Sequence, residues 1–280
     1  MLHPMQAPGP RTSGPGHGGT AERDRAGARR VERTETEPIG GFFATRTGEP
    51  GPGHLPLSRL HAGDIVPLTA RVDRVAARLR TPERRVAASI AHLGLAARLW
   101  STALGPAALH GEFPDPAAGA LYWDPELSSP DDLCWTRAGT LPGTVDSIRE
   151  AVQFGHLVPL AEALRGDVRI SHRLLWGNAG SALAGALREI HRWARERDRP
   201  EVADRATALT TGLLDHPDLS GTVRGPALRR TSCCLYYRCP GGGLCGDCVF
   251  DRPPRRPLSQ DPAPSASAPA RDSGTRRLRP

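Results

Sequence analysis

Lysine is absent from this 280-residue chain, so all 37 of its basic residues are arginine. With 31 glycines, 28 prolines and abundant alanine, this reads as codon bias toward GC-rich triplets. Arginine number alone is then no argument for guanidinium chemistry. Apolar residues are also scarce, at 38 %, which is low for a compact fold of this length and implies that much of the chain is not core. Long apolar runs are missing. The nearest, "LLWGNAGSALAGAL", contains Asn178 and falls short of the roughly 18–20 apolar residues of a membrane span. The N-terminus, "MLHPMQAPGPRTSGPGHGG", has no apolar run to serve as a signal-peptide core. A cytoplasmic protein is expected, with its thiols kept reduced.

Several catalytic signatures are absent too. There is no metal-binding histidine pair, no phosphate loop, no serine-hydrolase elbow and no flavin or nicotinamide fingerprint. The net charge of +7 is concentrated at the ends. Residues 1–38 carry six Arg against five acids and residues 251–280 seven Arg against three Asp, that is +1 and +4, leaving +2 for residues 39–250. A basic tail without a recognition module does not make a nucleic-acid-binding protein.

Composition divides the chain into three. Residues 1–40 and 251–280 hold too few apolar side chains to offset the entropy of ordering, and are read as disordered tails. Residues 41–250 form a single domain. Within it, Leu68, Val72, Val75, Ala76 and Leu79 make a helical stripe. Thr81-Pro82-Glu83 reads as a helix start. The helix it opens carries Val86, Ile90, Leu93, Ala97, Trp100 and Leu104 as a seam for another helix, and Gly105-Pro106 is read as its stop. "ALYW" and "LCWT", within residues 111–144, suggest a small antiparallel ribbon, with Cys134 as buried packing between Leu133 and Trp135.

A helical stretch beginning at Val145 is interrupted near Gly155 and Pro159. A long helix from about Ser171 to Arg197 presents Leu175, Ala179, Leu183, Leu187, Ile190 and Ala194 on one face. Its small-residue middle, "GNAGSALAGA", reads as a tight helix crossing, or alternatively as a binding surface containing Trp176, Gly177 and Asn178. A further helix spans about Pro200 to Asp215, and "HPDLSGTVRGPALRRTS" leads on as loop or short strand. The fold class is mainly α (α+β): a helical body, a short antiparallel ribbon and a cysteine-rich C-terminal loop region within residues 229–250.

Against this cysteine-poor background, "SCCLYYRCPGGGLCGDC" (232–248) holds five of the six cysteines. Cys233, Cys234, Cys245 and Cys248 form C-C-x10-C-x2-C. With Cys239 in place of one of the adjacent pair, the spacing from Cys234 begins like a plant-type ferredoxin and then departs from it. Thiolates in a Cys-x-x-Cys turn suit zinc as well as iron, and a disulfide pairing is the remaining arrangement. "PGGG" lets the loop fold back, and Gly246 sits where a "CGDC" turn needs freedom. Adjacent cysteines diverge in extended backbone, which suits a binuclear cluster better than a mononuclear tetrahedron. Arg229, Arg230, Arg238 and Arg252 lie nearby, and could offset cluster charge or attract an anionic partner.

The motif C-C-x10-C-x2-C, with "CCLYYR" and "CGDC", resembles the C-terminal signature of the FhuF-like ferric-siderophore reductases. "RRVAASIAHLGLAARLW" and "LLWGNAGSALAGA" resemble actinobacterial members. The resemblance covers about residues 60–250. It implies a [2Fe–2S] cluster on Cys233, Cys234, Cys245 and Cys248, with Cys239 a bystander inside the spacer. It also implies one-electron reduction of ferric siderophores, with electrons from a separate protein of ferredoxin or flavin-reductase type. A zinc-stapled binding module and a plain electron carrier are the other readings of the residues.

Overall fold

The computed structural model describes residues 32–33, 39–117, 119–136 and 139–254. Most of the two tails assigned above to disorder lies outside the described residues. Within the first of them, however, Ile39 is buried in the core, and β1 (Glu32–Arg33) pairs antiparallel with β2 (Arg46–Thr47). The chain continues through β3 (Leu55–Pro56), α1 (Ser58–His61), α2 (Val66–Leu79) and α3 (Arg84–His110) to β4 (Glu112–Pro114), β5 (Leu121–Trp123), β6 (Leu133–Trp135) and β7 (Thr140–Pro142). Then come α4 (Val145–Ile148), a π-helical stretch (Arg149–Leu157), α5 (Val158–Asp167), α6 (His172–Glu196) and α7 (Pro200–Leu214). The hairpin β8 (Val223–Arg224) and β9 (Arg229–Arg230) and a 3-10 turn (Tyr236–Arg238) complete it. The fold is mainly α with small sheets.

The centre is α3 packed on α6, with α2 and α7 against its flanks. The Trp100 indole N–H donates to the Ala179 carbonyl across the crossing, at 3.1 Å. The seam read from sequence is only part of the buried surface of α3. Val86, Trp100 and Leu104 are buried, but so are Leu95, Ala96 and Leu99, whereas Ile90, Leu93 and Ala97 are only half-buried. Even Arg98, 1 % exposed, faces inward. Its Nε donates to Asp132 Oδ1 at 2.8 Å, and its Nη atoms donate to the carbonyls of Phe42 and Pro130. This clamp ties α3 to the loops around the sheet.

Two helix boundaries differ from the sequence reading. Thr81 is not the cap: the helix starts at Arg84, two residues beyond the expected proline, with Glu83 at the N-cap position, and Thr81 Oγ1 only accepts from the Glu83 N–H at 3.4 Å. Gly105-Pro106 does not stop α3, which runs on to His110 and ends at Gly111 in a left-handed conformation. Burial outweighs the local breaker: Gly105 is where the Phe43 ring seats, 2.7 Å from where a Cβ would lie. The interruption expected near Gly155 and Pro159 is a widening into the π-helical stretch rather than a break, with Pro159 in the first turn of α5.

The ribbon is present and antiparallel, with Leu121 opposite Trp135, Tyr122 opposite Cys134 and Trp123 opposite Leu133. It forms the middle of a five-stranded sheet, ordered β1-β2-β6-β5-β3, in which the β2–β6 pair is parallel. Cys134 is 3 % exposed there, its Sγ 3.7 Å from the Gly48 carbonyl. Burial pushes its thiol pKa up, as suits inert packing. No helix among the described residues is long and apolar enough to cross a membrane.

Candidate metal centre

The face of α6 made of Gly177, Gly180 and Ser181 carries the C-terminal segment. A Cβ on Gly177 would lie 1.8 Å from Ser232 Oγ, and one on Gly180 would lie 2.1 Å from Thr222 Oγ1. Ser181 Oγ donates to Asp247 Oδ2 at 2.5 Å. The small-residue stretch thus does both jobs: it crosses α3 closely, with Ala179 bonded to Trp100, and it lets the cysteine segment lie directly on α6. Asn178, on the adjacent face, is fully buried. Its amide donates to the Ser89 carbonyl of α3 at 2.8 Å, and its Oδ1 accepts from Arg230 Nη2 at 2.6 Å. Ser89 Oγ in turn donates to the Cys234 carbonyl at 2.8 Å. Two long helices and the β8–β9 hairpin therefore fix the main chain at the adjacent cysteines. Trp176 instead lines a cavity of about 240 Å³ with His172, Arg173, Asp218 and Thr231, and its indole N–H donates to His172 at 2.7 Å.

Past Cys234 the chain turns sharply. Leu235 is left-handed at φ +68, a conformation costing a non-glycine residue roughly 1–2 kcal/mol, and its N–H points back at Cys233 Sγ, 3.2 Å away. The glycine-rich return works as expected at Gly241, at φ +70, and at Gly242, where a Cβ would come within 2.2 Å of the Tyr236 carbonyl. Gly246 differs from expectation: its φ is not positive, and a Cβ there would meet nothing within 4 Å. The Phe250 N–H points at Cys248 Sγ, 3.5 Å away.

The fold brings together the four thiols of the C-C-x10-C-x2-C pattern, without a disulfide. Cys245 hydrogen-bonds Cys234, which hydrogen-bonds Cys233, and Cys248 lies close enough to Cys233 for their charges to interact. The Cys233 thiol is drawn down to about 7 by the bond from Cys234, helped by the Leu235 N–H and the Arg230 charge. Donating to Cys233 pushes Cys234 up, and donating to Cys234 pushes Cys245 up. Cys234 and Cys248 are buried, whereas Cys233 and Cys245 are half-buried and leave one edge of the group open. Cys239 is buried after the 3-10 turn, its main chain bonded to Tyr236 and Gly242.

The donor set fits a binuclear iron–sulfur group. The thiols are linked in the order Cys245, Cys234, Cys233, with Cys248 close to Cys233, and four thiol donors are the set a [2Fe–2S] group takes. Main-chain N–H groups point at two of the sulfurs, and hydrogen bonds to sulfur are a recognised means of stabilising such clusters. Arg230 is fully buried, with Nη1 lacking any partner, and its charge reaches Cys233, Cys234 and Cys245. A buried cation is costly unless a negative group sits against it, and a thiolate-ligated cluster supplies that charge.

The other arginines are differently placed. Arg229 donates to the Cys248 carbonyl and pairs with Asp251 at 3.0 Å. Arg238 pairs with Glu83 at the start of α3, at 2.7 Å. Arg252 is exposed. The roles of Ser89, Ser181 and Asp247 escaped sequence reasoning. Asn178, a lone amide in an apolar run, was their one visible signal.

Fold and site define a helical protein with a cysteine loop, the candidate metal centre, seated on its two central helices. The family model described as ferric iron reductase FhuF-like transporter matches residues 109–232, and that of the FhuF 2Fe-2S C-terminal domain matches residues 230–250. The chain belongs to this FhuF-like family, and its cofactor is a [2Fe–2S] cluster. It is similar to the ferric siderophore reductase of Escherichia coli, 28 % identical over 151 residues, covering 52 % of this chain and 54 % of the relative. The chain thus spans about half the length of the relative it matches.

Proposed function

We propose that this protein reduces ferric siderophores by one electron and releases their iron as Fe(II) in the cytoplasm, using a cluster held by Cys233, Cys234, Cys245 and Cys248. The observation that carries this reading is the grouping of those four thiols in a loop whose neighbouring Arg230 is fully buried. A [2Fe–2S] group supplies one electron at a time, at a potential set by charge, hydrogen bonds to sulfur and solvent exposure. Siderophores hold Fe(III) tightly through hard oxygen donors and Fe(II) far more weakly. Adding one electron to the ferric ion therefore frees it and leaves the chelator intact. That step needs no general acid, base or nucleophile.

The chain's residues hold, orient and shield the group. Ser89, Asn178 and Ser181 anchor the loop from the two helices, while the Leu235 and Phe250 N–H groups point at sulfur. The open edge at Cys233 and Cys245, next to exposed Leu244, is where chelate and donor approach. The donor is a separate protein of ferredoxin or flavin-reductase type.

The test uses anaerobically purified, chemically reduced protein mixed with a panel of hydroxamate and catecholate ferric complexes. Reoxidation should saturate with chelate concentration, and an Fe(II) trap should collect about one iron per oxidised cluster, as a one-electron centre requires. Reduced protein that keeps its electron before every chelate, yet passes it to a protein acceptor, is a plain carrier. Colourless protein with stoichiometric zinc is a stapled binding module. Single Ser substitutions at Cys233, Cys234, Cys245 or Cys248 should lose or destabilise the cluster. Loss in Cys239→Ser but not in Cys233→Ser would assign the ferredoxin-like set instead.

A further inference from the structure

Arg230 ends β9 and points into the junction of α3, α6 and the cysteine loop, fully buried. Its hydrogen-bonding partners are neutral. Nε donates to the Ser232 carbonyl at 2.5 Å, Nη2 to Asn178 Oδ1 at 2.6 Å, and its main-chain N–H to the Asp247 carbonyl at 3.3 Å. Nη1 is buried without a partner, and no ion pair with Arg230 is found among the described residues. The half-buried arginines beside it in the loop are discharged locally, Arg229 by Asp251 and Arg238 by Glu83. Two of the Arg230 hydrogen bonds hold it against the chain next to the cysteines, since Ser232 precedes Cys233 and Asp247 precedes Cys248. The nearby carboxylate, Asp247, has Oδ1 3.6 Å from Cys245 Sγ.

Given the cluster ligation proposed above, we infer that Arg230 is a redox-tuning residue, a buried countercharge that raises the cluster's reduction potential. One-electron reduction adds a negative charge beside a fixed positive one, in surroundings where water does not screen the interaction. The reduced form gains more than the oxidised form, so the potential rises. Holding the guanidinium through Asn178 and a main-chain carbonyl keeps its charge uncancelled. A carboxylate in the place of Asn178 would forfeit the effect.

The experiment compares the native chain with Arg230→Gln, Arg230→Lys and Asn178→Asp by dye-mediated redox titration, reading the cluster's EPR signal without any siderophore. Arg230→Gln should lower the one-electron equilibrium constant for reduction at least tenfold, about 59 mV. Arg230→Lys should recover most of that. Asn178→Asp keeps the arginine but neutralises it, at the cost of the amide's bond to the Ser89 carbonyl; this variant should shift in the same direction. The differences should be the same at about 0.05 and 0.5 M salt, because a buried charge escapes ionic screening.

A shift under about twofold in either charge-altering variant, or a Lys variant as low as the Gln one, would overturn the inference. If Arg230→Gln assembles no cluster, Asn178→Asp decides. Native protein that is brown but insensitive to these changes refutes the tuning role alone, whereas colourless native protein removes the cluster reading with it.

Discussion

Replacing Gly180 by alanine tests whether α6 is a seat for the C-terminal segment. In an ordinary helix interior the change would stabilise by about 0.8–1 kcal/mol, because alanine loses less backbone entropy. Here the new Cβ would lie 2.1 Å from Thr222 Oγ1 and 2.9 Å from Thr222 Cβ. Rotating the threonine cannot clear it, because its Cβ moves only with its backbone. Thr222 N–H donates to the Leu219 carbonyl at 3.1 Å, and the Thr222 carbonyl accepts from Thr231 at 2.9 Å. Shifting it therefore drags the hairpin that carries Arg230. Overpacking costs about 1–3 kcal/mol, and the hydroxyl's bond to the Leu219 carbonyl adds about 1 kcal/mol if lost. The net is about 1–3 kcal/mol of destabilisation. Gly185 of the same helix is the control: its Cβ would meet only the tip of Arg188, at 3.7 Å, so alanine there should stabilise by about 1 kcal/mol. At about 2–4 °C per kcal/mol for a domain of this size, the variants should melt roughly 4–16 °C apart, followed by helix circular dichroism and by the visible absorbance. Gly180→Ala melting level with Gly185→Ala would refute the seating of the hairpin on α6.

Arg98→Met should destabilise by about 3–5 kcal/mol by leaving Asp132 buried and uncompensated; adding Asp132→Asn should restore part of this, read by a double-mutant cycle in urea. Burial holds His92 neutral down to about 3 and His156 to about 4. Below an unfolded value near 6.5 only the unfolded chain takes up these protons, so stability should fall as pH falls through 6.5 toward 4, by about 1.4 kcal/mol per unit for each histidine. His92→Leu should lose about 2 kcal/mol less than the native chain between about pH 7 and 5; equal losses would show that His92 is not the group responsible. Cys134→Ser should keep the visible spectrum, since that sulfur packs in the sheet beside the Gly48 carbonyl, to which a hydroxyl can donate.

The long helices were legible because their apolar periodicity is strong and local. All six residues assigned to one face of α6 are buried, and α7 begins at the expected Pro200. The central position of α3 was not legible, because a helix buried on nearly every side has no single stripe to read. Arg98 looks like a solvated charge until Asp132, 34 residues on, is placed against it. The two-residue strands β1, β2 and β3 are too short for any alternation to show. In the site, cysteine spacing marked the loop, but Arg230 was indistinguishable from its neighbours in a chain whose every cation is arginine. Its burial depends on Asn178, 52 residues away in sequence, and on the glycines beside it in α6, and no local pattern encodes that.

The match to separate body and C-terminal cluster segments, meeting at residues 230–232, invites treating the cysteine loop as a detachable module. Its contacts argue otherwise. The segment from Arg229 to Phe250 has little apolar surface of its own, and beside its pairing with β8 it is fixed by Ser89 under Cys234, Asn178 under Arg230, Ser181 under Asp247 and Glu83 against Arg238. Leu235 is held in a left-handed conformation that only a surrounding structure can impose. Any chelate or donor that shifts α3 against α6 must therefore shift the loop's anchors with it. Because Ser89 and Asn178 also bond to each other, such a shift would move the Cys234 carbonyl and the Arg230 guanidinium together. The position of the thiols and the charge beside them are in this way one variable of the helical body rather than two independent properties of the loop.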